Sequence, residues 1–183
     1  MDEGTITLYI AASLDGFVAT EDGGVEWLES YQDESDDPGG GYEEFFASVD
    51  CLVMGSRTYE QVLTFGEWPY DEKPTYVVTH RDLPLATDCV ELFAGELCDL
   101  VDEITARYEH SWLVGGAALS QAFLRQGLLD EIRLTIVPVL LGQGVPLFDD
   151  SGIERGLTLL ERPSSANGLV ELRYGVDATA SSS

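Results

Sequence analysis

SWLVGGAALSQAFL, residues 111–124, decides how the chain is read. An apolar, strand-like run ends in two adjacent glycines and passes directly into a helical pattern. Leu119, Ala122 and Phe123 then fall on one helix face. Such a junction exposes free backbone N–H groups at a helix N-terminus, where a phosphate can bind. Glycine also permits positive φ and a close approach of ligand to backbone. The plainer reading is a tight turn, because the pair is not part of the G-x-G-x-x-G pattern of ordinary dinucleotide-binding folds.

Working outward, residues 5–12 (TITLYIAA) have the β-branched content of a first strand. Residues 13–28 (SLDGFVATEDGGVEWL) read as a loop with Asp-Gly turns and one helical turn near Trp27. The acidic, glycine-rich QDESDDPGGG reads as a solvated loop, with Asp33, Asp36 and Asp37 at its surface. GYEEFFASV then suggests a short helix. CLVMG is a buried strand leading into the helix SRTYEQVL, with Ser56 as its expected cap. TYVVT and DCVELF follow as strands. Leu97, Leu100, Val101 and Ile104 mark a helix by their spacing, and EIRLTIVPV alternates as a strand with one wetter face. LTLLER and LVELRYGV, joined by PSSANG, read as a closing β-hairpin.

Alternating strands and helices followed by a hairpin imply an α/β sandwich: a mostly parallel central sheet, helices on both faces, and an antiparallel edge. The 183 residues, 44% of them hydrophobic, suit one domain over residues 1–178, with 179–183 a disordered tail. No apolar run approaches the roughly 20 residues of a membrane-spanning helix. The start, MDEGTITLYI, lacks the basic region of a secretory signal. Cys51, Cys89 and Cys98 form no C-x-x-C pair and lie in or beside apolar runs, so reduced core thiols of a cytoplasmic protein are expected.

The charge is more distinctive. Asp and Glu number 34 against 9 Lys and Arg, the net charge is -25, and Lys73 is the only lysine. No basic stripe exists to meet a nucleic-acid backbone. Self-repulsion at this charge destabilises a folded chain unless salt screens it, and the Debye length falls to about 3 Å at 1 M salt. A salt-adapted protein is expected.

Ligands of such sheets bind beyond the carboxyl ends of the strands. Besides Gly115-Gly116, two further loops fall there. MGSRTYE carries Gly55, Ser56 and Arg57 at a second strand-to-helix junction. A cation in a first helical turn opposes the helix dipole, so Arg57 either meets an anionic ligand or pairs with a local carboxylate such as Glu60. VVTHR ends its strand in Thr79, His80 and Arg81, a set suited to a phosphate monoester or simply to a solvated loop. Asp15 and Gly16 form a turn, or a lid over a substrate. With two histidines, no H-E-x-x-H and no Cys/His cluster, no metal site is expected. Hydrolase and kinase signatures are also missing.

Residues 113–148, LVGGAALSQAFLRQGLLDEIRLTIVPVLLGQGVPLF, resemble the reductase domain of bacterial riboflavin-biosynthesis deaminase-reductases, which shares the dihydrofolate reductase fold. ASLDGFVA, MGSRTYE and VVTHR fall where that superfamily carries corresponding motifs, so the resemblance spans nearly the whole chain. It implies a dihydrofolate reductase-like three-layer sandwich and an NADPH-dependent reductase. By position, Gly55, Ser56, Arg57 and Thr58 would hold cofactor phosphate and ribose, and Thr79, His80 and Arg81 the adenosine 2′-phosphate. Val114, Gly115, Gly116, Ala117, Ala118 and Leu119 would hold the pyrophosphate. Asp15, Gly16 and Trp27 would border nicotinamide and substrate, with Asp15, Glu26 or water supplying a proton.

The departures matter. No carboxylate can be assigned to the pterin-facing role of dihydrofolate reductases, and no zinc-deaminase motif precedes the reductase. A stand-alone reductase acting on a phosphoribosylaminouracil is therefore expected. A pterin reductase and a non-catalytic nucleotide-binding module are the alternatives, and a homodimer is implied by resemblance. Salt adaptation should show as loss of the circular dichroism signal on dialysis from molar KCl into low salt; an unchanged spectrum would contradict it.

Overall fold

The computed structural model describes residues 3–31, 41–149, 152, 154–161 and 168–178. Asp33, Asp36 and Asp37, most of the PSSANG linker and the 179–183 tail lie outside these described residues. In chain order the elements are β1 (Thr5–Ser13), β2 (Phe17–Ala19), α1 (Glu26–Glu29), α2 (Gly41–Ser48), β3 (Cys51–Gly55), α3 (Ser56–Thr64), β4 (Thr75–Val78) and β5 (Val90–Phe93). They continue with α4 (Leu97–Arg107), β6 (His110–Gly115), α5 (Ala117–Gln126), β7 (Glu131–Val137), β8 (Val145–Pro146), β9 (Leu157–Glu161) and β10 (Val170–Val176).

Eight strands form one sheet in the order β5-β4-β3-β6-β1-β7-β10-β9. Every pairing from β5 to β7 is parallel. β10 is antiparallel to both of its neighbours. The central strands are apolar on both sides because both faces are covered. One face packs Ile6, Leu8, Val53, Leu113 and Ile132 beneath Leu100 and Ile104 of α4 and Phe123 of α5. The other packs Leu52, Met54, Val77 and Trp112 beneath Phe45 of α2 and Tyr59 and Val62 of α3. This is the three-layer α/β sandwich expected from the sequence, with its antiparallel hairpin at one edge.

Some details differ from expectation. The 13–28 loop contains β2, which pairs antiparallel with β8 as a second small sheet. Strands of two and three residues carry no readable alternation. Ser56 does not cap α3; it is the first helical residue, and Gly55 holds the cap position without a side-chain hydrogen bond. Only Cys51 is a core thiol, its pKa pushed up to about 12 by burial. Cys89 is half-buried and Cys98 exposed, because Cys98 lies off the Leu100–Ile104 face that α4 buries. No helix among the described residues is long and apolar enough to cross a membrane.

Candidate functional site

Because six strands run parallel, the loops following β1, β3, β4, β6 and β7 all emerge at one edge of the sheet. The chain passes from β1 to β3, leaves a gap that β6 later fills, and then crosses to the other side of β1 with β7. Reversals of strand order of this kind open the crevice in which α/β folds hold ligands.

Two helix N-termini meet there. β3 and β6 are neighbours, with Met54 beside Gly115, so α3 and α5 begin side by side. A Cβ on Gly55 would lie 3.8 Å from the Gly116 nitrogen and 3.9 Å from the Leu119 Cβ. A Cβ on Gly116 would come within 3.1 Å of the Thr58 hydroxyl. Gly115 has φ +129°, a conformation that L side chains rarely adopt, and its peptide bond to Gly116 is cis. Neither helix has a side-chain cap. The first-turn N–H groups of Ser56, Arg57 and Thr58, and those of Ala117, Ala118 and Leu119, therefore converge on one spot with the positive ends of two helix dipoles. Val114 leads into this junction half-buried. The Gly116 carbonyl receives both the backbone N–H and the hydroxyl of Ser120, at 3.0 and 2.9 Å.

The neighbouring loop carries the cations. Thr79 is buried, and its hydroxyl accepts the Arg81 N–H at 3.0 Å. His80 is exposed. Arg81 forks onto Glu60 of α3, with Nη1 at 3.1 Å and Nη2 at 2.6 Å from the two carboxylate oxygens. That hydrogen-bonded guanidinium, with Arg57 adding a weaker attraction, lowers the pKa of Glu60. The carboxylate expected to pair with Arg57 thus takes Arg81 in its hydrogen bonds, while Arg57 stays exposed.

Asp15 joins the two loops that rim the crevice on the β1–β7 side. Its carboxylate accepts the Ser13 hydroxyl at 2.6 Å, the Leu141 N–H at 3.1 Å and the Gly142 N–H at 2.8 Å. These bonds, the Ser13 hydroxyl first, hold its pKa below the ordinary carboxylate value. In this arrangement the carboxylate ties the Ser13–Gly16 turn to the loop after β7. Gly16 completes the turn, its N–H bonded to the Ser13 carbonyl and its carbonyl receiving the Leu147 N–H, each at 2.9 Å. A Cβ on Gly144 would collide with the Ala19 carbonyl, so glycine is required where this loop meets β2. Buried Gln121 of α5 braces the same rim through the Leu147 carbonyl at 3.0 Å.

The α1 segment is tied on one side to α3 and on the other to the loop after β7. The turn before it takes a hydrogen bond from Gln61 of α3 at the Gly23 carbonyl, 3.0 Å. Just beyond it, the Tyr31 hydroxyl reaches the Pro138 carbonyl after β7 at 3.4 Å. Glu26 is exposed in the first turn of α1. The Trp27 indole N–H is buried and has no hydrogen-bond partner among the described residues.

One cluster escapes sequence reading. On the α2 side of the sheet, Ala11 of β1, Thr135 of β7 and Glu171 of β10 form a row, one step below the Ser13–Val137 pair at the ligand edge. Glu171 accepts Arg133 Nε at 2.5 Å and the Tyr9 hydroxyl at 3.1 Å, and the Arg133 and Glu171 side chains are only 14% and 15% exposed. Arg133 also stacks over Tyr9, 5.0 Å from its ring centre. Burial, then the adjacent carboxylate, pushes the Tyr9 pKa up to about 12. The Arg-to-Glu pairing joins two strands distant in sequence, and no local motif announces it.

A mostly parallel sheet covered by helices on both faces, with two uncapped helix N-termini at its ligand edge, defines an α/β sandwich domain. The chain belongs to the RibD C-terminal domain family, whose pattern residues 4–170 match. Among curated relatives, uncharacterized protein YwjB of Bacillus subtilis is 35% identical over 162 residues, covering 83% of this chain and 87% of that one. Riboflavin biosynthesis protein RibD of Mycobacterium tuberculosis is 27% identical over 161 residues, covering 81% of this chain but 46% of RibD. Among solved structures, a Shewanella sp. PV-4 protein provisionally assigned to riboflavin biosynthesis superposes with TM-score 0.84 at 30% identity, covering 94% of this chain and 99% of that one. Enterococcus faecalis dihydrofolate reductase, solved with NADP(H), shares the fold at TM-score 0.60 and 14% identity, covering 96% of this chain and 98% of that one.

The Gly115 backbone supports a direct mutational check. Gly115→Ala forces a side chain into φ +129° and sets its Cβ 3.3 Å from Ile10 Cδ1. A loss of about 1–3 kcal/mol in unfolding free energy is expected. Urea denaturation in molar KCl measures it, and an unchanged midpoint would contradict the reading.

Proposed function

We propose that this chain is an NADPH-dependent reductase of riboflavin biosynthesis. It would deliver hydride to the ribosyl carbon of 5-amino-6-(5-phosphoribosylamino)uracil or a close analogue. Membership of the RibD C-terminal domain family supports a reductase of this pathway. The observation that carries the cofactor assignment is the convergence of two uncapped helix N-termini at Gly55 and Gly115-Gly116. A dinucleotide pyrophosphate suits that cradle, because neither helix start has a side-chain cap on its first-turn N–H groups.

Once bound, NADPH would supply the hydride; the protein binds, orients and excludes water. Ser56 to Thr58 and Ala117 to Leu119 would hold phosphate oxygens. Thr79, His80 and Arg81 would receive the 2′-phosphate. The Arg81–Glu60 pair is exposed at 53% and 44% of its side chains, and such pairs contribute little. A phosphate monoester, with more charge and three acceptor oxygens, would therefore draw Arg81 away. Asp15 would act as a positioning residue that joins the two rim loops. The orphaned Trp27 N–H would find its acceptor on substrate or nicotinamide.

A second reading, a dihydrofolate reductase-like enzyme acting on a pterin, gains support from Glu171. It is a largely buried carboxylate on the sheet face beside Thr135, though Arg133 neutralises it. Both acceptors are offered with NADPH in molar KCl, and loss of nicotinamide absorbance is followed. Consumption dependent on the phosphoribosylaminouracil is expected. Consumption with dihydrofolate alone would transfer the assignment to the second reading. Binding without consumption of either would leave a non-catalytic nucleotide-binding module.

Two substitutions refine the account. Glu60→Gln frees Arg81, so the KM for NADPH should fall roughly two- to fivefold, the scale of an exposed pair, while that for NADH does not fall. An unchanged ratio of the two would remove Arg81 from the 2′-phosphate site. Asp15→Asn should raise KM while leaving the pH profile of kcat intact, because a carboxylate of lowered pKa is already ionised throughout the neutral range. Disappearance of an ionisation from that profile would restore Asp15 as the acid.

A further inference from the structure

On the α2 face of the sheet, Ala11, Thr135 and Glu171 stand side by side on β1, β7 and β10. All three are half-buried, and Ala11 belongs to neither packed layer among the described residues. The row begins beside the two-helix junction, because a Cβ on Gly115 would meet Ile10, the neighbour of Ala11, at 3.3 Å. It ends at Glu171, two strand spacings or about 10 Å away. A ligand reaching across the sheet from that junction passes over alanine and threonine and arrives at a carboxylate.

Each oxygen of Glu171 already accepts one hydrogen bond. Oε1 takes Arg133 Nε at 2.5 Å and Oε2 takes the Tyr9 hydroxyl at 3.1 Å. Arg133 is fixed in turn, lying over the Tyr9 and Phe45 rings at 5.0 and 5.4 Å. Gly41 starts α2 directly against it, since a Cβ there would stand 2.8 Å from Arg133 Nη2. A carboxylate accepts about four hydrogen bonds. One position on each oxygen therefore remains, and no further donor among the described residues takes it. A half-buried carboxylate with two adjacent spare acceptors suits a ligand with two N–H groups side by side.

We propose that Glu171 is the residue that selects the acceptor, receiving a ring N–H and the adjacent exocyclic N–H of an aminopyrimidine. This rests on the reductase reading and sharpens it. In a 6-aminouracil, the amino N–H and the ring N–H beside it are parallel, at the spacing a carboxylate fork matches. In the phosphoribosylaminouracil that exocyclic nitrogen carries the ribosyl carbon. Holding the pair of N–H groups thus fixes the carbon that receives hydride. A pterin also offers such a pair, but on the ring that is not reduced.

Two probes, 5,6-diaminouracil and its 1-methyl derivative, differ in the ring N–H of this pair. Both are titrated by NMR into the protein in molar KCl with NADP+ present. The natural chain is expected to prefer the parent compound by about tenfold or more, the scale of a charge-assisted hydrogen bond. Glu171→Gln should bind the parent about tenfold more weakly, with its affinity for the 1-methyl compound and for NADP+ unchanged. A natural chain that binds both probes equally, or neither, overturns the proposal, as does a folded Glu171→Gln that keeps the preference. If Glu171→Gln does not fold, Glu171→Asp decides: it keeps the charge beside Arg133, withdraws the fork by one methylene and should lose the preference in the same way. Binding needs no turnover, so these outcomes stand apart from NADPH consumption, on which the reductase reading itself depends.

Discussion

Gly55 and Gly116 belong to two junctions crowded into one small volume: a Cβ on the first would reach 3.8 Å from the amide nitrogen of the second, and a Cβ on Gly116 would press on the Thr58 hydroxyl. That crowding follows from the sheet. β3 and β6 are adjacent and parallel, so their helices must start at the same height. The helices then diverge, α3 onto the face of Leu52 and Met54, α5 onto the face of Leu113 and Ile132. A Cβ would fit at Gly55 in ordinary contact, whereas Gly115, at φ +129°, and Gly116, whose Cβ would stand 3.1 Å from the Thr58 hydroxyl, favour glycine. Neither helix start carries a side-chain cap, so its first-turn N–H groups stay open to a ligand.

Such a site would let so acidic a chain bind the phosphate of the proposed cofactor. Helix N-termini present partial positive charge that does not depend on side-chain ionisation, and salt that screens distant carboxylates leaves close contacts largely intact. The few arginines are placed economically. Arg81 sits beside the cradle, and Arg133 stitches β7 to β10. Arg173 is held by Glu131 at 3.0 Å. Each of these three is paired with a carboxylate, and of the three the Arg81 pair is the most open to solvent. On the proposed function, an incoming 2′-phosphate would displace it.

Much of the fold was legible because its signals are local. The CLVMG strand, the Leu97–Leu100–Ile104 helix stripe and the glycine pair each announce themselves within a few residues. The loops after β3, β4 and β6 could then be assigned to one sheet edge from the alternation of strands and helices alone. What escaped reading depends on partners far apart in the chain. The β2–β8 pair is too short to show a period. The Asp15 carboxylate looks free in SLDGFVA, yet it is committed to backbone N–H groups of residues 141 and 142. Glu60 has Arg57 as its nearest arginine in sequence, whereas the sheet delivers Arg81 to it. Glu171 and Arg133 sit in ordinary alternating strands, and only the β7–β10 register brings them onto the face that carries Thr135.

The proposed cofactor site requires the two helix N-termini to act together on one ligand. Hydrogen–deuterium exchange in molar KCl, with and without NADPH, tests that most directly. Protection gained at residues 55–58 and 115–119 together, with a smaller gain at 79–81, is the expected result. Protection at one junction without the other, or confined to the far end of the sheet, would contradict it.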